Sequence, residues 1–171
     1  MKRLLLSAII IFMVATSFAQ TTYYKGEWTK INSTDNFEAL IKLQIKDTAI
    51  TGEIVWKFIS VDSTDEQSVN YYKGQKGKTG IEYVKGSFFA KTNDLQFEGI
   101  EKTDPFMIIG LDKYLLKLSL DKKIIYGRTL AQGENNGLIC FYKVDNTEGA
   151  KEFNLLRTKL FATAGEKAMR Y

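Results

Sequence analysis

The chain has 171 residues, with 24 Lys and Arg against 20 Asp and Glu, no histidine, one cysteine and one proline. Without histidine there is no histidine-ligated metal site and no triad with histidine as base; a lone cysteine, Cys140, rules out thiolate zinc clusters and an internal disulfide. Stability has to come from burial, and thirteen glycines with a single proline suit strands joined by tight turns.

Met1-Lys2-Arg3 is a short basic start, Leu4 to Val14 is apolar except for Ser7, and Ser17 and Ala19 put small residues at the −3 and −1 positions of a cleavage site. That is the layout of a secretory signal over residues 1–19, cleaved before Gln20. An uncleaved anchor is the competing reading, but the apolar core is only eleven residues, and a spanning helix needs about twenty. No second apolar run follows, so no transmembrane segment is expected after cleavage. The mature protein is expected to be secreted or periplasmic, in bacterial style. With Lys2 and Arg3 gone, 22 basic residues face 20 acidic ones over 152 residues. That is one domain with a mixed-charge surface, which argues against nucleic acid as a partner.

The rest reads as eight strands and a helix. The first strand is Tyr23 to Ile31, followed by the turn cluster Asn32 to Asn36. The second, Phe37 to Lys46, has the clearest period of two: Phe37, Ala39, Ile41, Leu43 and Ile45 alternate with Glu38, Leu40, Lys42, Gln44 and Lys46. Asp47-Thr48 leads into the third, Ala49 to Ser60, with Ile50, Gly52, Ile54, Trp56 and Phe58 on one face. Residues 61–80 break the pattern, first polar and then aromatic, basic and glycine-rich. A connection this long in a compact domain is functional or mobile.

The fourth strand is Ile81 to Lys91 and the fifth Leu95 to Lys102, ended by Asp104-Pro105. The sixth is centred on Tyr114 to Leu120, with Tyr114, Leu116, Leu118 and Leu120 on one face. The seventh runs from Ile124 to Ala131, a polar loop covers 132–137, and the eighth is Leu138 to Val144. Asp145-Asn146-Thr147 offers N-caps for a helix over 149–164, with Phe153, Leu156 and Leu160 at helical spacing and Gly165 as its stop.

Eight sequential strands with short turns predict an all-β, eight-stranded antiparallel meander barrel over 20–146, with a C-terminal helix and tail over 147–171 packed on it. Closure removes bare edges. A two-sheet sandwich needs the same alternation and stays open as the alternative. The second strand's polar face, with Glu38, Lys42, Gln44 and Lys46, is unsuited to lipid and favours an apolar interior.

Gly26-Glu27-Trp28 sits on the first strand, and here the chain resembles the calycin group of lipocalins, fatty-acid-binding proteins and avidins. These share a Gly-x-Trp motif at the start of an eight- to ten-stranded meander barrel. In many of them an arginine from a late strand packs over that tryptophan and closes the barrel's end. The resemblance implies a barrel-closing role for Gly26 and Trp28, makes Arg128 the matching arginine, and implies a helix after the eighth strand.

Trp28 is thus expected as a core plug at the closed end, the competing role being a ligand contact. Arg128 shares an alternation face with Ile124, Tyr126 and Leu130, read as the inner face. There it would either cap Trp28 or hold a ligand carboxylate. Cys140, on the face of Leu138, Tyr142 and Val144, is expected to be a buried inert thiol. Tyr71, Tyr72, Lys73, Lys76 and Lys78 form a lid or anion-binding rim, or a solvated connector. Asp62, Asp65 and Glu66 could serve a glycosidase only with a geometry that spacing does not supply.

The expected function is non-enzymatic binding of a small apolar or amphipathic ligand inside the barrel. Trp56, Phe58, Tyr83, Tyr114 and Tyr126 would form its walls and Arg128 its polar anchor. No metal or cofactor is expected. The reading from another class is an interaction protein for an envelope partner, an inhibitor or assembly factor acting through exposed loops.

Overall fold

The computed structural model describes residues 20–31, 34–130 and 136–168. The signal read over 1–19, most of the loop 132–137 and the end of the tail lie outside the described residues. In chain order the elements are β1 (Gln20–Lys30), β2 (Asn36–Lys46), β3 (Ala49–Ser60), α1 (Glu66–Tyr71), β4 (Thr79–Phe89) and β5 (Asp94–Thr103). Then come β6 (Lys113–Leu118), β7 (Ile124–Leu130), β8 (Gly137–Lys143) and α2 (Asn146–Ala168). Each strand pairs antiparallel with the next, and β8 pairs with β1, so the sheet is a closed meander barrel rather than a sandwich.

Closure depends on close approach at the β1–β8 seam. Gly26 lies opposite Phe141, and a Cβ on Gly26 would fall on the Cys140 carbonyl and the Phe141 ring. Only glycine lets the first and last strands meet there. Gly26 thus lies within the seam where β1 meets β8.

Alternation puts one face of every strand inside. Ile41, Leu43, Ile50, Ile54, Leu95 and Phe141, each 3 % exposed or less, are part of the interior core. The outer face is solvated except where α2 covers it. Tyr23, Leu40, Val55 and Ile81 come from four different strands and gather under Phe153 and Leu160 of α2. Burying each such side chain contributes roughly 1.5–3 kcal/mol, so the apolar stripe of α2 and these outward residues explain one another. Asp145 starts the helix by accepting from the backbone N–H groups of Thr147 (2.8 Å) and Glu148 (3.1 Å). Gly165 does not stop it: α2 continues to Ala168, since a helix tolerates an internal glycine at a cost of about 1 kcal/mol.

Three further expectations are corrected. In β7 and β8 the inward residues are Ile125, Thr129, Ile139 and Phe141, so Tyr126, Arg128, Leu138, Cys140 and Tyr142 are exposed. Both faces of these strands carry apolar residues, so alternation gave the wrong parity, and Cys140 is exposed rather than buried. Leu120 is 90 % exposed, because β6 ends at Leu118 and the chain is already turning. Residues 61–80 hold the helix α1, capped by Asp65, whose carboxylate accepts from the N–H groups of Gln67 and Ser68.

Candidate functional site

A meander places its connections alternately at two ends. The β2–β3, β4–β5 and β6–β7 links are short and lie at one end; β1–β2, β3–β4, β5–β6 and β7–β8 lie at the other, which holds the two longest described connections, 61–78 and 104–112. At this second end the barrel contains a cavity of about 440 Å³. That is the size of a small-molecule pocket.

Four aromatic side chains, Trp28, Phe37, Trp56 and Tyr72, line the cavity, and residues 108–112 complete its wall. Three carboxylates, Asp35, Glu82 and Asp112, line it as well. Glu82 is the deepest. It lies on β4 between Ile81 and Tyr83, which point outward, and it is 1 % exposed. One of its oxygens accepts from the Trp56 indole N–H (3.0 Å) and from the Tyr114 hydroxyl, and the other from the Asp112 backbone N–H (3.2 Å). Gly99 on β5 makes room for it, since a Cβ there would fall on the Glu82 carboxylate. The β4–β5 register slips beside it: Tyr83 faces Glu101 while Val84 faces Gly99.

Burial governs the electrostatics. It pushes the Glu82 carboxyl up to about 7 against the pull of its three donors, and Asp112 up to about 6. The fully buried Tyr114 hydroxyl is held well above its ordinary range by burial and by the neighbouring carboxylates. Asp35 differs: it accepts from the Asp62 N–H (2.7 Å) and has the Lys30 ammonium at 3.6 Å. The three carboxylates do not form a group that could hold a metal ion.

Trp28 is buried as expected, but at the cavity end, not at a closed end. Its indole N–H donates to the Thr129 hydroxyl at 2.8 Å, and the same oxygen accepts from the Gly137 N–H at 3.1 Å. Thr129, wholly buried, takes the place that the resemblance gave to Arg128. The arginine one residue earlier lies outside the barrel, so it neither caps Trp28 nor reaches the cavity.

The connection 61–78 is fastened over this end. Tyr72 stacks on Phe58, with ring centres 4.5 Å apart, and meets Phe37 edge-on. The Tyr71 hydroxyl donates to the Met107 carbonyl (2.6 Å), the Gln75 amide donates to the Phe106 carbonyl (3.3 Å), and the Lys78 ammonium lies 4.8 Å from the Phe106 ring centre. The two long connections thus hold each other. Asp104 shapes the second by accepting from the Ile109 N–H at 2.9 Å.

Of the wall residues expected from sequence, Trp56 lines the cavity, Phe58 packs behind Tyr72, and Tyr114 anchors Glu82. Tyr83 does not belong with them: it packs toward α2 on the outside, because the inward position of β4 is taken by Glu82. Tyr126, 45 % exposed, is outside for the parity reason given above. Tyr72 lines the cavity, whereas Lys73, Lys76 and Lys78 do not, so no cationic rim forms there. The residues that sequence reasoning missed are the carboxylates. Asp112 falls between the fifth and sixth strands, where no alternation assigns it a face. Glu82 was hidden by its apolar neighbours Ile81 and Tyr83, which face the helix.

The architecture is compatible with a calycin-like fold. In comparisons with known proteins, no family model, no curated protein and no solved structure matches the chain. No helix among the described residues is long and apolar enough to cross a membrane.

Proposed function

We propose that this protein is a non-enzymatic, exported binding protein of calycin-like type that holds a small amphipathic molecule in the cavity at the long-connection end. The observation that carries the reading is the cavity itself, about 440 Å³ with aromatic walls at one end of an otherwise packed barrel. Removing about 300 Å² of apolar ligand surface from water would contribute on the order of 7 kcal/mol before ordering costs. Trp28, Trp56 and Tyr72 supply apolar surface, and Glu82 and Asp112 replace Arg128 as the polar groups that orient the ligand.

Native mass spectrometry on protein recovered from its own export pathway tests this. The expected result is a chain beginning at Gln20 that carries a small molecule released on denaturation. A chain still carrying residues 1–19 would overturn the export reading. A bare mass, with no thermal stabilisation by a panel of small metabolites, would overturn the binding reading.

A further inference from the structure

We propose that the cavity is built for a small organic cation, whose ammonium group seats against Asp112 and Glu82 while its apolar part lies on Trp56 and Tyr72. The inference rests on the small-molecule reading above and adds the sign of the ligand's charge.

The cavity wall holds three carboxylates and no lysine or arginine. Asp35 is offset by Lys30. Neither Glu82 nor Asp112 takes part in an ion pair among the described residues. The three donors to Glu82 are all neutral, namely an indole, a phenol and a backbone amide. They use three of the roughly four acceptor positions of a carboxylate. No described side chain donates to the Asp112 carboxylate, which is held next to Glu82 by the bond from its own N–H.

An apolar ligand needs none of this. Burying a carboxylate without a cation is costly, and a leucine or glutamine in its place would serve an uncharged guest better. An anionic guest would meet two like charges in a site of low polarity. A cation relieves both, and the aromatic walls favour it further, because a ring face attracts a desolvated ammonium. The raised carboxyl groups agree with this, since each marks a charge that the protein's own groups leave uncompensated. A bare metal ion fits poorly, because the carboxylates do not gather around one point. The volume suits a molecule with an apolar body.

The test uses the chain from Gln20 onward, which contains every described element, at pH 8, where both carboxyls are ionised. Titration calorimetry compares choline with its neutral isostere 3,3-dimethylbutanol, and phenethylammonium with phenylacetate. Each cation should bind at least about tenfold more tightly than its uncharged or anionic counterpart. Asp112→Asn, in a surface connection, should narrow the preference for choline over 3,3-dimethylbutanol by a similar factor. The comparison within the native protein does not depend on any variant folding. If the isostere or phenylacetate binds as well as the cation, the charge inference is overturned and the small-molecule reading stands. A neutral or anionic molecule found by native mass spectrometry would overturn it in the same way. If none of the four binds and no adduct is found, both fall.

Discussion

The two ends of this barrel are built from the same eight strands and differ in almost everything else. At the short-turn end the links carry left-handed residues, Asp47, Asn93 and Lys122, and the Tyr24 hydroxyl donates to the Lys122 carbonyl at 3.3 Å. The interior near it is filled, with Leu43, Ile50, Leu95, Leu118, Ile125 and Phe141 each 5 % exposed or less. At the other end two long connections are tied together over aromatic rings and buried carboxylates. One end spends its residues on packing. The other accepts unfavourable electrostatics around a space, which is the arrangement expected where a fold gives up stability for a site.

Substitutions can break or sharpen that contrast. The largest loss should come from the packed end: Ile125→Ala should cost about 2–5 kcal/mol in urea unfolding and leave ligand selectivity in the residual folded protein unchanged. Glu82→Gln should instead change how stability depends on pH. The folded carboxyl titrates near 7, above the ordinary value of 4.5. The native state therefore holds this proton more tightly than the unfolded chain. The contribution of Glu82 is fully favourable below about pH 4.5 and is lost as pH rises through 7, a change of ~3 kcal/mol. Asp112 adds a slope of the same sign, and Tyr114 and Tyr72 stay neutral throughout. Unfolding free energies between pH 5 and 8 should show this decline in the native protein and a shallower one in Glu82→Gln. An unchanged slope would remove Glu82 as its source.

Thr129→Val should cost about 1–3 kcal/mol, because it strands the buried N–H groups of Trp28 and Gly137. Its neighbour Arg128→Ala, on the outside, should lie within about 0.5 kcal/mol of the native protein and leave binding untouched. The pair separates the hydroxyl seen under Trp28 from the arginine suggested by resemblance. One substitution should be a gain: Lys122→Gly relieves a φ of 58° in the last short turn and should raise stability by about 0.5–1 kcal/mol in thermal unfolding.

The strand order was readable because β2, β3 and β6 have chemically different faces. Phe37 to Ile45 against Glu38 to Lys46 leaves one choice of inside. In β7 and β8 the choice was not written in the residues: Tyr126 and Leu138 look as apolar as Ile125 and Ile139, and only pairing with β1 and β6 decides between them. Ile81 and Tyr83 point out because α2 covers them, a contact between segments some seventy residues apart that no local period encodes. Glu82 was illegible for the same reason from the other side, since a carboxylate in a strand reads as solvent-facing until the strand's neighbours are known. α1 was missed, because six residues between two polar runs give no helical period, although Asp65 three residues before Ser68 is the kind of side chain that starts a helix.

The Gly26 seam also has a kinetic consequence. It joins Tyr24 to Lys143, so the first strand finds its second partner only after nearly the whole chain is available. Pairings this distant in sequence put folding in the slow, millisecond-to-second regime of β proteins. Until β8 arrives, β1 and β7 each present an unpaired edge to any passing chain. Gly26 thereby controls how long that exposure lasts: any side chain at this position would keep the two edges apart after both had been made.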